Sequence, residues 1–234
     1  MRQIILDTET TGLRVEDGHR IIEIACLEMI NRKLTGEHYH QFVNPLREVD
    51  SGAMAVHGIT NVFLADKPLF SVIANDLMGF INGAELIIHN APFDLAFLNN
   101  ELLLCDQDFK SVTDYCNVID TLHMARQLHP GQRNSLDALC KRYGVDNSKR
   151  DLHGALIDTD LLAHVYLAMT GGQGCFFDSI SDSRSSVNKN TETVINIPLQ
   201  KHDLMVLKAD PDELSLHTTY LDLLKKQGKC QWNT

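Results

Sequence analysis

The segment Gln3–Gly12, QIILDTETTG, constrains the fold more than any other stretch of the chain. Ile4, Ile5 and Leu6 form the unbroken apolar run of a buried strand, expected over Gln3–Thr8. Asp7 and Glu9 stand where such a strand should end. The alternation of side chains along a strand sends both carboxylates to the same side. Two acids placed together there repel unless something positive lies between them. The plain alternative is that they lie past the strand end in solvent, one of them capping the next turn.

Further strands are expected at Ile21–Met29 and Glu37–Val43, joined as a hairpin by a turn over Asn31–Gly36. A helix over Phe70–Ile81 is ended by Gly83, and Glu85–Asn90 is a short buried strand. Asn90 and Pro92 then open a helix over Ala91–Leu104. A strand at Cys116–Ile119 and helices at Thr121–Leu128, Ser135–Tyr143 and about Ala155–Met169 complete the pattern. Antiparallel strands followed by strand–helix alternation give an α/β fold, a mixed sheet flanked by helices. Composition changes at Gly171-Gly172, and the chain becomes rich in Ser, Asn, Thr and Gly, the signature of a flexible linker. Beyond it, Asp203–Ala209 reads as a short strand. Asp210-Pro211-Asp212-Glu213 opens a helix with Leu214, Leu221 and Leu224 on one face, ended by Gly228. The expected organisation is a main domain over 1–172, a linker over 173–200 and a small C-terminal module over 201–234.

Two more acids lie where apolar residues belong. Asp94 shares its helix face with Phe97, Leu98 and Leu102, and Asp158 shares its own with Leu161, Leu162 and Val165. An unpaired charge on such a face costs several kcal/mol. One inward acid is ordinarily explained by an arginine or a cap. Four acids on three elements suggest a shared cation, and hard oxygen ligands suit Mg²⁺ or Mn²⁺. His153, five residues before Asp158, fits a loop ahead of the helix. There it is either a surface or capping residue or a base beside the metal site.

Bulk properties limit the alternatives. With 234 residues and 44% apolar content, one sizeable domain and an appendage are expected. No apolar run nears 18 residues and the start lacks signal-peptide character, so a cytoplasmic, non-membrane protein is expected. The six cysteines show no C-x-x-C pair and read as reduced packing residues. A net charge of −10 argues against gripping nucleic acid through many phosphate contacts, although not against meeting it at a metal-filled site. Locally, Arg133, Lys141, Arg142, Lys149 and Arg150 outnumber Asp137 and Asp146, which either guides a strand or is an ordinary solvated face.

DTETTG with Asp7 and Glu9, HNAPFD with Asp94, and LHGALIDT with His153 and Asp158 resemble the three motifs of the DEDD exonuclease superfamily, histidine branch. Their order, with VHGI, NSLDALC, DNSKR and AMTGGQ between and after them, resembles the ε subunits of bacterial DNA polymerase III, the proofreading exonucleases. That resemblance implies a ribonuclease H-like fold and removal of nucleotides from a single-stranded or frayed 3′ end of DNA. It implies two divalent ions held by Asp7, Glu9, Asp94 and Asp158, with His153 as general base. Thr10, Gly12 and His57, together with Glu9, would hold the terminal nucleotide. Gln173, Phe176 and Phe177 resemble the peptide by which such proteins dock on the sliding clamp; packing back on the domain is the alternative for the two aromatics. The C-terminal module, through Leu221, Leu224 and Trp232, would dock on the polymerase α subunit. A small θ subunit accompanies some members, and no segment here decides its presence. Two rivals share parts of the pattern: an exoribonuclease with the same core motifs but no such tail, and a non-catalytic scaffold between clamp and polymerase.

Overall fold

A computed structural model describes residues 1–105, 107–148, 150, 152–171 and 210–226 of the chain. The linker and clamp-type peptide (Gln173, Phe176, Phe177), the strand expected at Asp203–Ala209, and Gly228 and Trp232 lie outside these residues. The described residues fall into two units, one up to residue 171 and the other a helix over 210–226.

The first unit is built on a five-stranded sheet. Its strands are β1 (Arg2–Thr10), β2 (Ile21–Ile30), β3 (Lys33–Phe42), β4 (Glu85–Ile88) and β5 (Asn117–Asp120), in the order β3-β2-β1-β4-β5. The hairpin-linked strands β1, β2 and β3 pair antiparallel, while β4 joins β1, and β5 joins β4, in parallel. Parallel neighbours need a crossover, and helices supply it. The helices are α1 (Ser51–His57), α2 (Asn61–Leu64), α3 (Phe70–Ile81), α4 (Ala91–Leu103), α5 (Val112–Tyr115), α6 (Thr121–Leu128), α7 (Leu136–Tyr143) and α8 (Ala155–Thr170).

β1 lies at the centre, and its alternation sorts two cores. Ile4 and Leu6 join Leu86 and Ile88 beneath Leu77 of α3 and Phe97 and Leu98 of α4. Ile5 joins Ile87 on the opposite face, beneath Leu139 and Cys140 of α7 and Leu162 and Val165 of α8. Asp7 and Glu9 follow Ile5 in phase, so they point toward the α8 layer. In the last turn of α4, Glu101 is 1% exposed; its carboxylate takes a two-pronged bond from Arg20 (2.7 and 2.6 Å) and a third from the Ile21 amide at 3.1 Å. That pairing fixes α4 against the start of β2.

Four expectations need correction. β1 does not stop at Thr8. It runs on to Thr10 because β2 continues beside it, with Asp7 opposite Ala25 and Glu9 opposite Glu23, and a register shift follows Glu9. The acids are therefore strand residues and not solvated turn residues. The hairpin turn is not Asn31–Gly36 but the two residues Asn31 and Arg32, both at positive φ (50° and 64°), the conformation of the tight turn that matches strand twist. Lys33–Gly36 thus belongs to β3. Asn90 opens α4 without capping it: its own φ is 70°, and its side chain makes no cap bond. Asp120, at the end of β5, accepts from the Asn90 amide instead, at 3.2 Å. Finally, α1 and α2 were not anticipated, being short and exposed over most of their length, with only His57 and Leu64 buried.

In the second unit, α9 (Pro211–Lys226) starts as its sequence requires. Asp210 accepts from the amides of Asp212 (2.9 Å) and Glu213 (2.8 Å), and Glu213 reaches back to the Asp210 amide at 3.1 Å, a complete capping box. Leu221 is buried and Leu224 half-buried, whereas Leu214 is 54% exposed. The buried face is narrower than the spacing suggested.

Candidate active site

Three elements aim carboxylates at one place. β1 supplies Asp7 and Glu9 on one face, the first turn of α4 supplies Asp94, and the first turn of α8 supplies Asp158. Asp94 and Asp158 are 3% and 4% exposed. Helix N-termini carry partial positive charge, which makes first turns tolerable places for buried acids. Thr8, on the other face of β1, donates its hydroxyl to Asp94 at 2.7 Å and ties strand to helix. His153 sits exposed on the loop before α8, where its amide donates to the Val56 carbonyl at 3.1 Å. Its Nδ1 lies 3.6 Å from Asp158, and Glu9, His153 and Asp158 can each offer a ligand atom within 4.8 Å of the others. One cleft of about 590 Å³ is lined by Asp7, Glu9, Asp94, Asp158 and His153 together.

The electrostatics follow from that crowding. Burial, and then the charges of Asp94, Glu9, Asp158 and Glu23, hold the Asp7 carboxyl well above the usual range. Burial pushes Glu9 up to about 8, helped by Asp158, Glu23 and Asp94. Asp94 rises to about 7, again through burial first, with the Thr8 hydrogen bond pulling the other way. Buried and half-buried acids that resist ionising near neutral pH are acids short of positive charge. An oxygen-rich cluster of this kind fits a divalent cation.

Residues 4–166 match the exonuclease family RNase_T. The chain is 49% identical to the DNA polymerase III subunit epsilon of Pasteurella multocida, over 99% of this chain and 93% of that one. It is 51% identical to the protein of the same name from Rickettsia typhi, over 97% of this chain and 99% of that one. The chain belongs to the DNA polymerase III epsilon-subunit family. It is therefore an enzyme of the exonuclease class. Among solved structures, exonuclease X in complex with 5′-overhanging duplex DNA shares the fold (TM-score 0.56, 28% identity, 77% of this chain and 98% of that one). A zinc-bound complex of Escherichia coli exonuclease I with single-stranded DNA overlays with a TM-score of 0.62 at 18% identity, covering 77% of this chain and 43% of that one.

Within this epsilon-family chain, the four residues expected at the terminal nucleotide, Glu9 included, line a neighbouring cleft of about 710 Å³. Thr10, Gly12 and His57 line it with Val56 and Phe93, and Thr8, Glu9 and Phe93 are common to both clefts. Gly12 is needed for packing: a Cβ there would meet the His19 ring at 2.2 Å. Thr10 spends its hydroxyl on the Gly12 carbonyl at 2.7 Å and so holds that turn. His57 is buried; its Nδ1 accepts from the Ile59 amide at 3.0 Å, and among the described residues its Nε2 makes no hydrogen bond within ordinary distance and angle limits.

Two residues of the site were missed in the sequence. Glu23 is 4% exposed, and it accepts from the Ala155 amide at 3.2 Å while bonding His40 at 2.7 Å. Gly154 has no side chain to cap α8, so Glu23 of β2 caps it across the sheet. Its place opposite Glu9 needs the strand register to be read. Arg150 was counted only in the basic window. Its side chain is 6% exposed and reaches into the acid cleft.

Proposed function

We propose that this chain removes nucleotides one at a time from the single-stranded or frayed 3′ end of DNA, as the proofreading subunit of a replicative polymerase. The convergence of Asp7, Glu9, Asp94, Asp158 and His153 on one cleft carries the reading. Family membership supports it. In this reading Asp7, Glu9, Asp94 and Asp158 hold two divalent ions, Mg²⁺ or Mn²⁺. Ions bound there would neutralise charge developing on the scissile phosphate and lower the pKa of attacking water.

The remaining work belongs to the chain. Thr8 orients the Asp94 carboxylate and Glu23 sets the first turn of α8, so the acids keep their spacing without relying on flexible side chains. His153, on a loop tied to the Val56 carbonyl, takes the proton of the attacking water. His57 and the Thr10–Gly12 turn hold the terminal nucleotide in the neighbouring cleft. A mispaired end frays more readily and so reaches that cleft more often. Gln173, Phe176 and Phe177 would dock on the sliding clamp. The C-terminal module, with Leu221, Leu224 and Trp232, would dock on the polymerase α subunit. Tethering of that kind makes weak intrinsic DNA affinity tolerable in a chain of charge −10, working in the cytoplasm.

The test uses a 5′-labelled primer annealed to a template, with either a paired or a mispaired 3′ nucleotide. Excision of the mispaired end is expected to be faster by about tenfold or more. Adding clamp should raise the rate for the wild type, but not for the pair Phe176→Ala and Phe177→Ala. Equal rates on the two ends would count against proofreading, and equal clamp response in the double variant would count against the docking peptide.

A further inference from the structure

Arg150 puts a permanent cation among the acids. Its Nε and Nη2 donate to the two oxygens of Asp158 at 2.5 and 2.7 Å, its Nη1 donates to Asp137 at 2.6 Å, and its Nη2 donates to Nδ1 of His153 at 3.0 Å. Such a fork on one carboxylate is the strongest form of charge-assisted hydrogen bond. Two consequences follow from these bonds alone.

The first concerns Asp158. An ionised carboxylate has about four lone-pair sites, and the fork uses one on each oxygen. A divalent ion drawing on the same group must bind beside a guanidinium or displace it, and like charges at that range repel strongly. The second concerns His153. A guanidinium has no acceptor, so Nδ1 contributes its lone pair to this bond and the ring proton sits on Nε2. A ring in that condition has no lone pair left to receive a proton from water. In this arrangement, Arg150 competes with a divalent ion for Asp158 and occupies the lone pair of the general base.

We propose that Arg150 is a latch on the active site: while it grips Asp158, His153 cannot act, and loading Asp158 with a divalent ion moves the guanidinium off and frees Nδ1. Asp137 makes release feasible, because it is 56% exposed and can keep its bond while the guanidinium turns toward solvent. Arg150 is thus a positioning residue, acting through Asp158 and His153. The inference rests on the reading of the four acids as metal ligands.

The test uses the full-length chain and two readouts. In calorimetric titration with Mn²⁺, Arg150→Gln, which loses the charge, is expected to bind about tenfold more tightly than the wild type. A residue that merely braced the ligand Asp158 would give weaker binding when replaced. In nitrogen-15 spectra of the wild type, the Arg150 Nε–H signal should be protected from exchange in chelator and lose that protection at saturating Mg²⁺. A variant that binds no more tightly overturns the latch, and so does a signal still protected at saturation. If the variant fails to fold, the wild-type signal decides. Absence of Mn²⁺ binding in both proteins overturns the metal reading and the latch with it, whereas binding by the wild type with no gain in Arg150→Gln overturns the latch alone.

Discussion

Asp94→Asn is expected to lower metal-dependent nuclease activity by about 10³-fold, because a neutral amide in place of a ligand carboxylate forfeits several kcal/mol of charge stabilisation. The fold should survive. Asp94 is buried and held by the Thr8 hydroxyl, and an amide oxygen can accept that same bond. Its carboxyl is already pushed up to about 7, so asparagine resembles the protonated form that burial favours. In chelator the variant should melt no lower than the wild type, since one of several mutually repelling acids has been neutralised. Rates on single-stranded DNA and melting curves in chelator check both halves. Activity within tenfold of the wild type would contradict the ligand role, and a large drop in melting temperature would mean that Asp94 is structural.

Stability without metal should fall as pH rises, the reverse of the usual behaviour of paired carboxylates. Asp7, Glu9 and Asp94 all have folded-state pKa values raised above those of the unfolded chain, Glu9 to about 8 and Asp94 to about 7. A raised acid binds its proton more tightly when folded. Its contribution to stability is therefore complete below about pH 4 and is lost as pH rises through the folded value. Other acids act oppositely at the low end, so the visible window is about pH 5 to 8. In chelator the melting temperature should drop across that window by roughly 5 °C. A divalent ion at about one hundred times its Kd adds about 2.7 kcal/mol, or some 5–10 °C in a chain of this size. The increment should grow with pH, because the ion displaces protons from the same oxygens. A melting temperature flat in pH and indifferent to Mn²⁺ would contradict a preformed acid cluster.

The acids of β1, α4 and α8 were legible in the sequence because each interrupts an apolar pattern that fixes which way it points. Asp7 and Glu9 share a strand face, and Asp94 and Asp158 ride apolar helix faces, so burial of charge shows as a local contradiction. Glu23 and Arg150 do not show their roles this way. Glu23 interrupts the apolar run of β2, but its partner, the Ala155 amide, arrives from 132 residues away. Arg150 sits among other basic residues, and its burial depends on Asp158 and Asp137 closing around it from two helices. The strand–helix order was readable from periodicity. The start of the hairpin turn after β2 was readable at Asn31, but its two-residue extent was not, since the second positive φ falls on Arg32 and not on the usual glycine. Similarly, α1 and α2 were missed, being too short to develop a periodic face.

The most direct measurement is digestion of 5′-labelled single-stranded DNA, and RNA of the same sequence, by the full-length chain in Mg²⁺ and in chelator. Metal-dependent shortening of the DNA from its 3′ end in single-nucleotide steps, weak on the RNA and absent for Asp7→Ala/Glu9→Ala, is the predicted result. Preferential digestion of the RNA, or shortening that persists in chelator or in the double variant, would contradict a metal-dependent proofreading exonuclease built on these acids.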